Sequence, residues 1–278
     1  MAQGMSLHLG LNAVDPKHYG GWPGTLVACE ADAEDMAAIA KAKKFKVKML
    51  LTAKATRAAV LAELARAAKA LKAGDTFFLT YSGHGGQLPD KNGDEIDDHQ
   101  DETWCLYDGQ IPDDELNDAY AKFAKGVRIL VLSDSCHSGT VTKMAFYRGT
   151  PKHLPGTTDE EARYRMMPDP VALKTYRENK EMYDKILTNV KTRDARAAVQ
   201  ASILLISGCQ DNQLSGDGAF NGVFTGNLLS VWQNGAFTGN YSRFHRAIVR
   251  RMPPDQTPNF FRVGAPDPKF EAGPPFSF

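Results

Sequence analysis

Residues 75–86 read DTFFLTYSGHGG and residues 127–139 read VRILVLSDSCHSG. Each opens as an apolar run of strand length without polar alternation, the pattern of a strand buried on both faces of a parallel sheet. Each then passes into a loop of small residues that carries one reactive side chain, His84 in the first and Cys136 in the second. Working outward, the pattern predicts strands over 6–12 and 46–51. It also predicts a helix over 29–43 with Ala33, Met36, Ala37 and Ala40 on one stripe. Thr56 is placed to cap a helix in which Val60, Leu61, Leu64, Ala68 and Leu71 recur at helical spacing, with Gly74 as its stop. Further along come a strand over 202–208, helices over 223–233 and 241–251, and a last strand over 257–263. This alternation describes one α/β three-layer sandwich, a mostly parallel six-stranded sheet flanked by helices.

The rest of the composition excludes more than it selects. The 278 residues hold 33 Lys+Arg against 33 Asp+Glu, so nothing draws the chain toward nucleic acid or an acidic membrane. The longest apolar stretches fall far short of the roughly 18 residues that a bilayer span requires. The opening MAQGMSLHLG has no basic and then apolar leader pattern, so the expected location is cytoplasmic. Cys29, Cys105, Cys136 and Cys209 stand far apart and form no CxxC pair, which argues against a disulfide framework and a structural zinc site. Residues 90–118 are heavily acidic, with Lys91 the one lysine among them. Residues 141–200 interrupt the α/β rhythm and read as a long insertion or linker, with helical potential over 176–190.

Ligands and reactive groups of open α/β sheets gather beyond the carboxyl ends of the strands. Parallel neighbouring strands would bring His84 and Cys136 to one rim, where an imidazole can take the thiol proton or stabilise the thiolate. The flanking Gly83, Gly85 and Gly86 allow a tight turn around the imidazole. His137 is also adjacent to the cysteine, but neighbouring residues at a strand end point apart, so it is read as a bystander. An α/β-hydrolase elbow is disfavoured. The positions two either side of the cysteine, Asp134 and Ser138, include a charged residue where a small one is needed, and only His153 and His245 follow. No dinucleotide-binding or P-loop motif follows a strand.

The segments YSGHGG (81–86), DKNGDEIDDHQDE (90–102), IPDDEL (111–116) and SDSCHSGT (133–140) resemble those of the metacaspases and their bacterial orthocaspase relatives. The likeness extends through ACEADAEDM (28–36), SGCQDNQ (207–213), NGVFT (221–225) and QTPNF (256–260), and so over nearly the whole chain outside 141–200. The 52-residue spacing from His84 to Cys136 also agrees with a histidine roughly 50 residues upstream of a caspase-type cysteine. The resemblance implies the caspase–hemoglobinase type of sandwich and a cysteine endopeptidase acting on protein or peptide substrates, working as a monomer. Cys136 would attack the scissile carbonyl and His84 would protonate the leaving amine. Backbone N–H groups of Gly85 and Cys136 would form the oxyanion hole. Family members cleave after Arg or Lys, and the acidic pocket positions fall on Asp32 and Asp134, with Ser82 beside them. A carboxylate pair at a pocket base attracts a cationic side chain and repels an acidic one. Asp32 also reads as a carboxylate favoured at a helix N-terminus.

For the acidic stretch, an EF-hand-like loop from Asp90, Asn92 and Asp94 fails, because Glu95 stands where glycine belongs and Asp101 where glutamate belongs. The resemblance implies instead an activating, non-catalytic calcium ion on Asp101, Asp113 and Asp114. Lys143 occupies a position that is acidic in the family and weakens that site. It further divides the single catalytic domain, 1–278, into a large-subunit-like part (1–140), an insertion (141–200) and a small-subunit-like part (201–278). Self-cleavage within the insertion is expected after a basic residue, with Arg163, Arg165, Arg193 and Arg196 unranked. The rival expectation is a gated or regulatory caspase-fold scaffold with little intrinsic peptidase activity.

Overall fold

The computed structural model describes residues 2–91, 100–136, 163–189, 198–209, 215–218 and 220–278. In chain order its strands are β1 (Gly4–Gly10), β2 (Lys46–Leu51), β3 (Thr76–Ser82), β4 (Gly85–Pro89), β5 (Gln100–Leu106), β6 (Gly109–Pro112), β7 (Arg128–Asp134), β8 (Arg163–Tyr164), β9 (Ser202–Ser207), β10 (Gly216–Asp217) and β11 (Asn259–Gly264). Six of them form the central sheet in the order β11-β9-β7-β3-β1-β2, with β11 alone antiparallel to its neighbour. The helices are α1 (Cys29–Ala42), α2 (Arg57–Ala70), α3 (Asp113–Ala121), α4 (Asp169–Glu178), α5 (Lys180–Asn189), α6 (Val223–Trp232), α7 (Tyr241–Val249) and the short α8 (Pro268–Ala272).

Alternation within the apolar runs explains the layers. Phe77, Leu79 and Tyr81 of β3 and Ile129 and Val131 of β7 face one side, where they pack with Val60 and Leu64 of α2 and Leu116 of α3. Phe78, Leu130 and Leu132 face the other side and pack with Met36 of α1, Phe224 of α6 and Phe244 of α7. Each such side chain contributes about 1.5–3 kcal/mol on burial, so a one-residue slip of either strand would be very costly. Thr56 does cap α2, accepting a hydrogen bond from the Ala59 N–H. The edge strand β2 carries exposed Lys46 and Lys48, which discourage pairing with another chain.

Element boundaries differ from the sequence expectation by a few residues. The first strand begins two residues earlier, at Gly4, and α2 ends at Ala70, well before Gly74. The helical potential over 176–190 is met by two helices, α4 and α5, that meet at Asn179. Two small sheets escaped the sequence pattern altogether: β4-β5-β6, and the two-residue pair β8-β10. The described parts of the insertion, 163–189 and 198–200, pack on the body of the protein. Among the described residues no helix is long and apolar enough to cross a membrane.

The register places the rim. Ser82, the last residue of β3, lies opposite Asp134, the last of β7. His84 and Cys136 each follow two residues later, just beyond the ends of adjacent strands at the same sheet edge.

Candidate active site

The tip of β3 is held from below. Tyr81 stacks on Trp104 and donates its hydroxyl to the carbonyls of His84 (2.6 Å) and Cys105 (3.0 Å). Gly83 is required there, because a Cβ on it would sit 2.6 Å from the Tyr81 hydroxyl oxygen. The His84 ring lies against Trp22, and its Nε2–H donates to the Gly24 carbonyl at 3.0 Å. That bond selects the tautomer and leaves Nδ1 as the basic nitrogen. Nδ1 is buried and makes no hydrogen bond. Burial pushes the His84 pKa down to about 3, against smaller upward contributions from the Gly24 carbonyl and the Met166 backbone beside the ring. The imidazole is therefore neutral, as a proton acceptor must be.

Cys136 is fully buried, and its Sγ accepts a hydrogen bond from the Ser215 N–H. Its own N–H donates to the carbonyl of Arg165 at 3.0 Å, and the Gly85 N–H donates to the same oxygen, also at 3.0 Å. The two amides expected to form an oxyanion hole thus converge on one carbonyl oxygen, that of a residue within the insertion. The other thiols do different work. Burial raises the pKa of Cys29 and of Cys105, as expected of inert core thiols, and Cys209 donates to the Ser135 carbonyl.

The Arg165 side chain runs from that carbonyl into a closed pocket and has no solvent exposure. Its Nη2 donates to Asp32 Oδ2 (2.7 Å) and Asp217 Oδ1 (2.9 Å). Its Nη1 donates to Ser82 Oγ (2.8 Å) and lies 2.9 Å from Asp134 Oδ2. Every carboxylate is also oriented by other donors. Asp32 accepts from Ser82 Oγ, Asn221 Nδ2 and the Gly222 N–H. Asp134 accepts from Ser215 Oγ and from the Thr225 hydroxyl and N–H in the first turn of α6. Asp217 accepts from the Val27 N–H at 2.8 Å. A Cβ at Gly222 would lie 2.5 Å from Arg165 Cζ, so the pocket wall at that point has to be backbone. Burial, and then the neighbouring Asp134 charge, raise the Asp32 pKa to about 6 even with the guanidinium against it. Three buried carboxylates around one cation favour a positive occupant strongly and exclude an anionic one.

Main-chain pairing completes the cleft. The Arg165 N–H donates to the Ser215 carbonyl, and Arg163 and Tyr164 pair antiparallel with Asp217 and Gly216. On the far side Met166 bridges to Gly85 and the Met167 N–H donates to the Gly85 carbonyl at 2.8 Å. Gln256 steadies the Ser215–Asp217 edge, donating to Ser215 Oγ and accepting from the Gly216 N–H.

The sequence-predicted Asp32, Ser82, Asp134, His84, Gly85 and Cys136 therefore surround a single stretch of peptide. Asp217, Ser215 and Gly24 were missed. The signal for Asp217 was a lone acidic residue in the glycine-rich SGDGAFNG (215–222), which no local pattern ties to Asp32. The other acidic group is different. Asp101 lies in β5, and Asp113 and Asp114 open α3; the register pairs Thr103 with Pro112 between them. Among the described residues no three His, Cys, Asp or Glu side chains are grouped to hold a metal ion. His137, Lys143, His153, Arg193 and Arg196, and Asn92 to Asp98 of the acidic stretch, lie outside the described residues. His245, half-buried, bonds the Pro258 carbonyl.

A family model described as the Caspase domain matches residues 13–270. Metacaspase-1 of Schizosaccharomyces pombe is 34% identical over 174 residues, 55% of this chain and 40% of the relative. Metacaspase-1 of Eremothecium gossypii is 30% identical over 192 residues, 62% of this chain and 42% of the relative. The chain thus spans less than half the length of these curated relatives. A crystal structure of a protein from Geobacter sulfurreducens superposes with a TM-score of 0.90 at 62% identity, covering 99% of this chain and 98% of that one.

Proposed function

The chain belongs to the caspase-domain family of cysteine peptidases, and from that premise we propose that it is an endopeptidase that cleaves protein or peptide substrates after Arg or Lys. The observation that carries the reading is Arg165, whose guanidinium fills the acidic pocket while its carbonyl oxygen receives the Gly85 and Cys136 amides. A substrate residue in the same place would present its carbonyl carbon to Cys136 Sγ. The thiol proton passes to His84 Nδ1, the thiolate attacks, and the developing oxyanion is stabilised by the two amides. His84 then gives the proton to the departing nitrogen, and water hydrolyses the thioester. The Gly24 carbonyl holds the imidazole in the tautomer this requires.

Activation by calcium on Asp101, Asp113 and Asp114 belongs to the same reading and is supported by donor chemistry, since carboxylates suit a hard cation. In its bound form the ion would order the β5–α3 corner and take no part in bond cleavage. Self-processing and a monomeric working state complete the proposal. The filled cleft also suits a gated caspase-fold scaffold with little peptidase activity, and one experiment separates the two. Peptide electrophiles differing only in Arg or Asp at P1 are incubated with the protein, in calcium and in chelator, and adducts are read by intact mass. The expected result is a single adduct from the Arg reagent that is absent in Cys136→Ala, smaller in chelator, and not formed by the Asp reagent. No adduct under any condition would favour the scaffold.

A further inference from the structure

Resting on the reading of Cys136 and His84 as nucleophile and base, we propose that Trp104 is a positioning residue for bond cleavage. Its indole N–H, acting through Ser133 and Ser135, fixes the nucleophile loop against the His84–Gly85 loop. The oxyanion hole thereby keeps its shape when no carbonyl lies in it.

The two loops leave the sheet side by side with little main chain to join them. Beyond the last ladder pair, Ser82 with Asp134, the main-chain link between them among the described residues is the Gly83 N–H on the Asp134 carbonyl, at a long 3.4 Å. The Gly85 and Cys136 amides do meet on the Arg165 carbonyl, but that oxygen belongs to the occupant of the cleft. With the cleft empty, no shared acceptor holds the two amides in line. Donors that stabilise a developing oxyanion are effective because they are already in place, so something else has to hold these loops in register.

Trp104 spans the gap. In β5 it lies opposite Gly85, which puts its backbone in the same ladder as one of the two oxyanion donors. Tyr81 of β3 and Ser133 of β7 are register partners, and the Trp104 side chain touches both. Its ring stacks on Tyr81 with centroids 4.5 Å apart and planes 8° from parallel, and its Nε1–H donates to Ser133 Oγ at 3.1 Å. Ser133 Oγ in turn lies 2.9 Å from Ser135 Oγ, on the residue that precedes the nucleophile. The histidine side is held from the same strand. The His84 carbonyl accepts from the Tyr81 hydroxyl at 2.6 Å and from the Cys105 N–H at 2.9 Å. Two consecutive residues of β5 thus grip both loops, Trp104 by a side-chain bond and Cys105 by its amide.

Packing alone does not call for an indole here. Trp104, Ser133 and Ser135 are all buried, and a phenyl ring would stack on Tyr81 without bringing a buried donor that needs a partner. The indole adds a directed bond that a phenyl ring lacks. Its loss would let the Cys136 amide and thiol shift relative to Gly85 and His84, which weakens contacts made in the transition state. Substrate binding is expected to hold. Asp134, between the two serines, is fixed separately by Ser215 Oγ and by the Thr225 hydroxyl and N–H. The expected signature is therefore a lower kcat at an unchanged KM.

The test measures kcat and KM for a P1-Arg fluorogenic peptide on the full chain in calcium buffer. Rates are divided by the fraction of Cys136 titrated to completion with a P1-Arg chloromethyl ketone, so that closed clefts do not count. Trp104→Phe and Ser133→Ala are each expected to lower kcat about 3–10-fold, the worth of one neutral hydrogen bond, with KM within about twofold of wild type. The double variant should be no worse than either single one, since both remove the same bond. Trp232→Phe, in the core on the opposite face of the sheet, is expected to lower the thermal midpoint and leave kcat unchanged. The chain has three tryptophans, so three indole N–H signals are expected by NMR. The one absent from Trp104→Phe should move upfield in Ser133→Ala while the other two stay. Wild-type kcat in the folded variants, a loss confined to KM, additive losses in the double variant, or an indole signal indifferent to Ser133→Ala would overturn this proposal and leave the peptidase reading standing. A wild type that turns over no P1-Arg peptide would overturn both.

Discussion

Two acidic trios in this molecule look alike in composition and differ in what they do. Asp101, Asp113 and Asp114 lie inside the densest run of negative charge in the sequence, yet among the described residues no three acidic side chains there are grouped to hold a metal ion. Asp32, Asp134 and Asp217 come from distant segments and converge on one guanidinium, each fixed by further hydrogen bonds. Density of charge along a chain does not by itself aim oxygens at one place, as a specific cation site requires. The second arrangement arises because β3, β7 and the starts of α1 and α6 all end at one sheet edge.

The contrast can be broken most forcefully by neutralising one member of each trio. Asp217→Asn keeps the shape and removes a buried charge-assisted hydrogen bond worth about 1.5–3 kcal/mol, so kcat/KM for a P1-Arg peptide is expected to fall by roughly 10–100-fold in calcium and chelator alike. Asp113→Asn is expected to change it by no more than chelation changes the wild type. Equal losses in the two variants would place Asp101, Asp113 and Asp114 in the substrate site.

A smaller effect sharpens the same point. A carboxyl whose pKa is raised to about 6 is neutral below that pH and charged above it, so the pocket loses attraction for a cation on acidification. The ratio of kcat/KM for Arg over the uncharged citrulline at P1 cancels the titration of the Cys136–His84 pair. That ratio is expected to fall on acidification, as the pocket carboxyl takes up a proton, and to lose this step in Asp32→Asn. A flat ratio would mean that Asp32 carries no titrating charge in the open pocket.

Much of this was legible because it is local. The apolar runs at 77–81 and 129–132 place two strands, and continuity along each strand carries the reader two residues further to His84 and Cys136. Asp32 and Ser82 needed the family resemblance, since a helix-start carboxylate and a strand-end serine have ordinary local explanations. Asp217 and the role of Arg165 could not be read, because they depend on a two-residue pairing between β8 and β10, more than fifty residues apart, that leaves no periodic trace. The insertion was expected to border the cleft and to be cut after a basic residue, but no local pattern says which one. Arg165 looked like one basic residue among four until the pocket selected it.

The central claim is that Cys136 and a pocket built for arginine act as one machine. It is tested most directly by kcat/KM for paired peptides carrying Arg or Asp at P1, measured on processed wild type with Cys136→Ala as the blank. Turnover of the Arg peptide alone is expected, lost entirely in the variant. A ratio near one, or cleavage that survives Cys136→Ala, would contradict it.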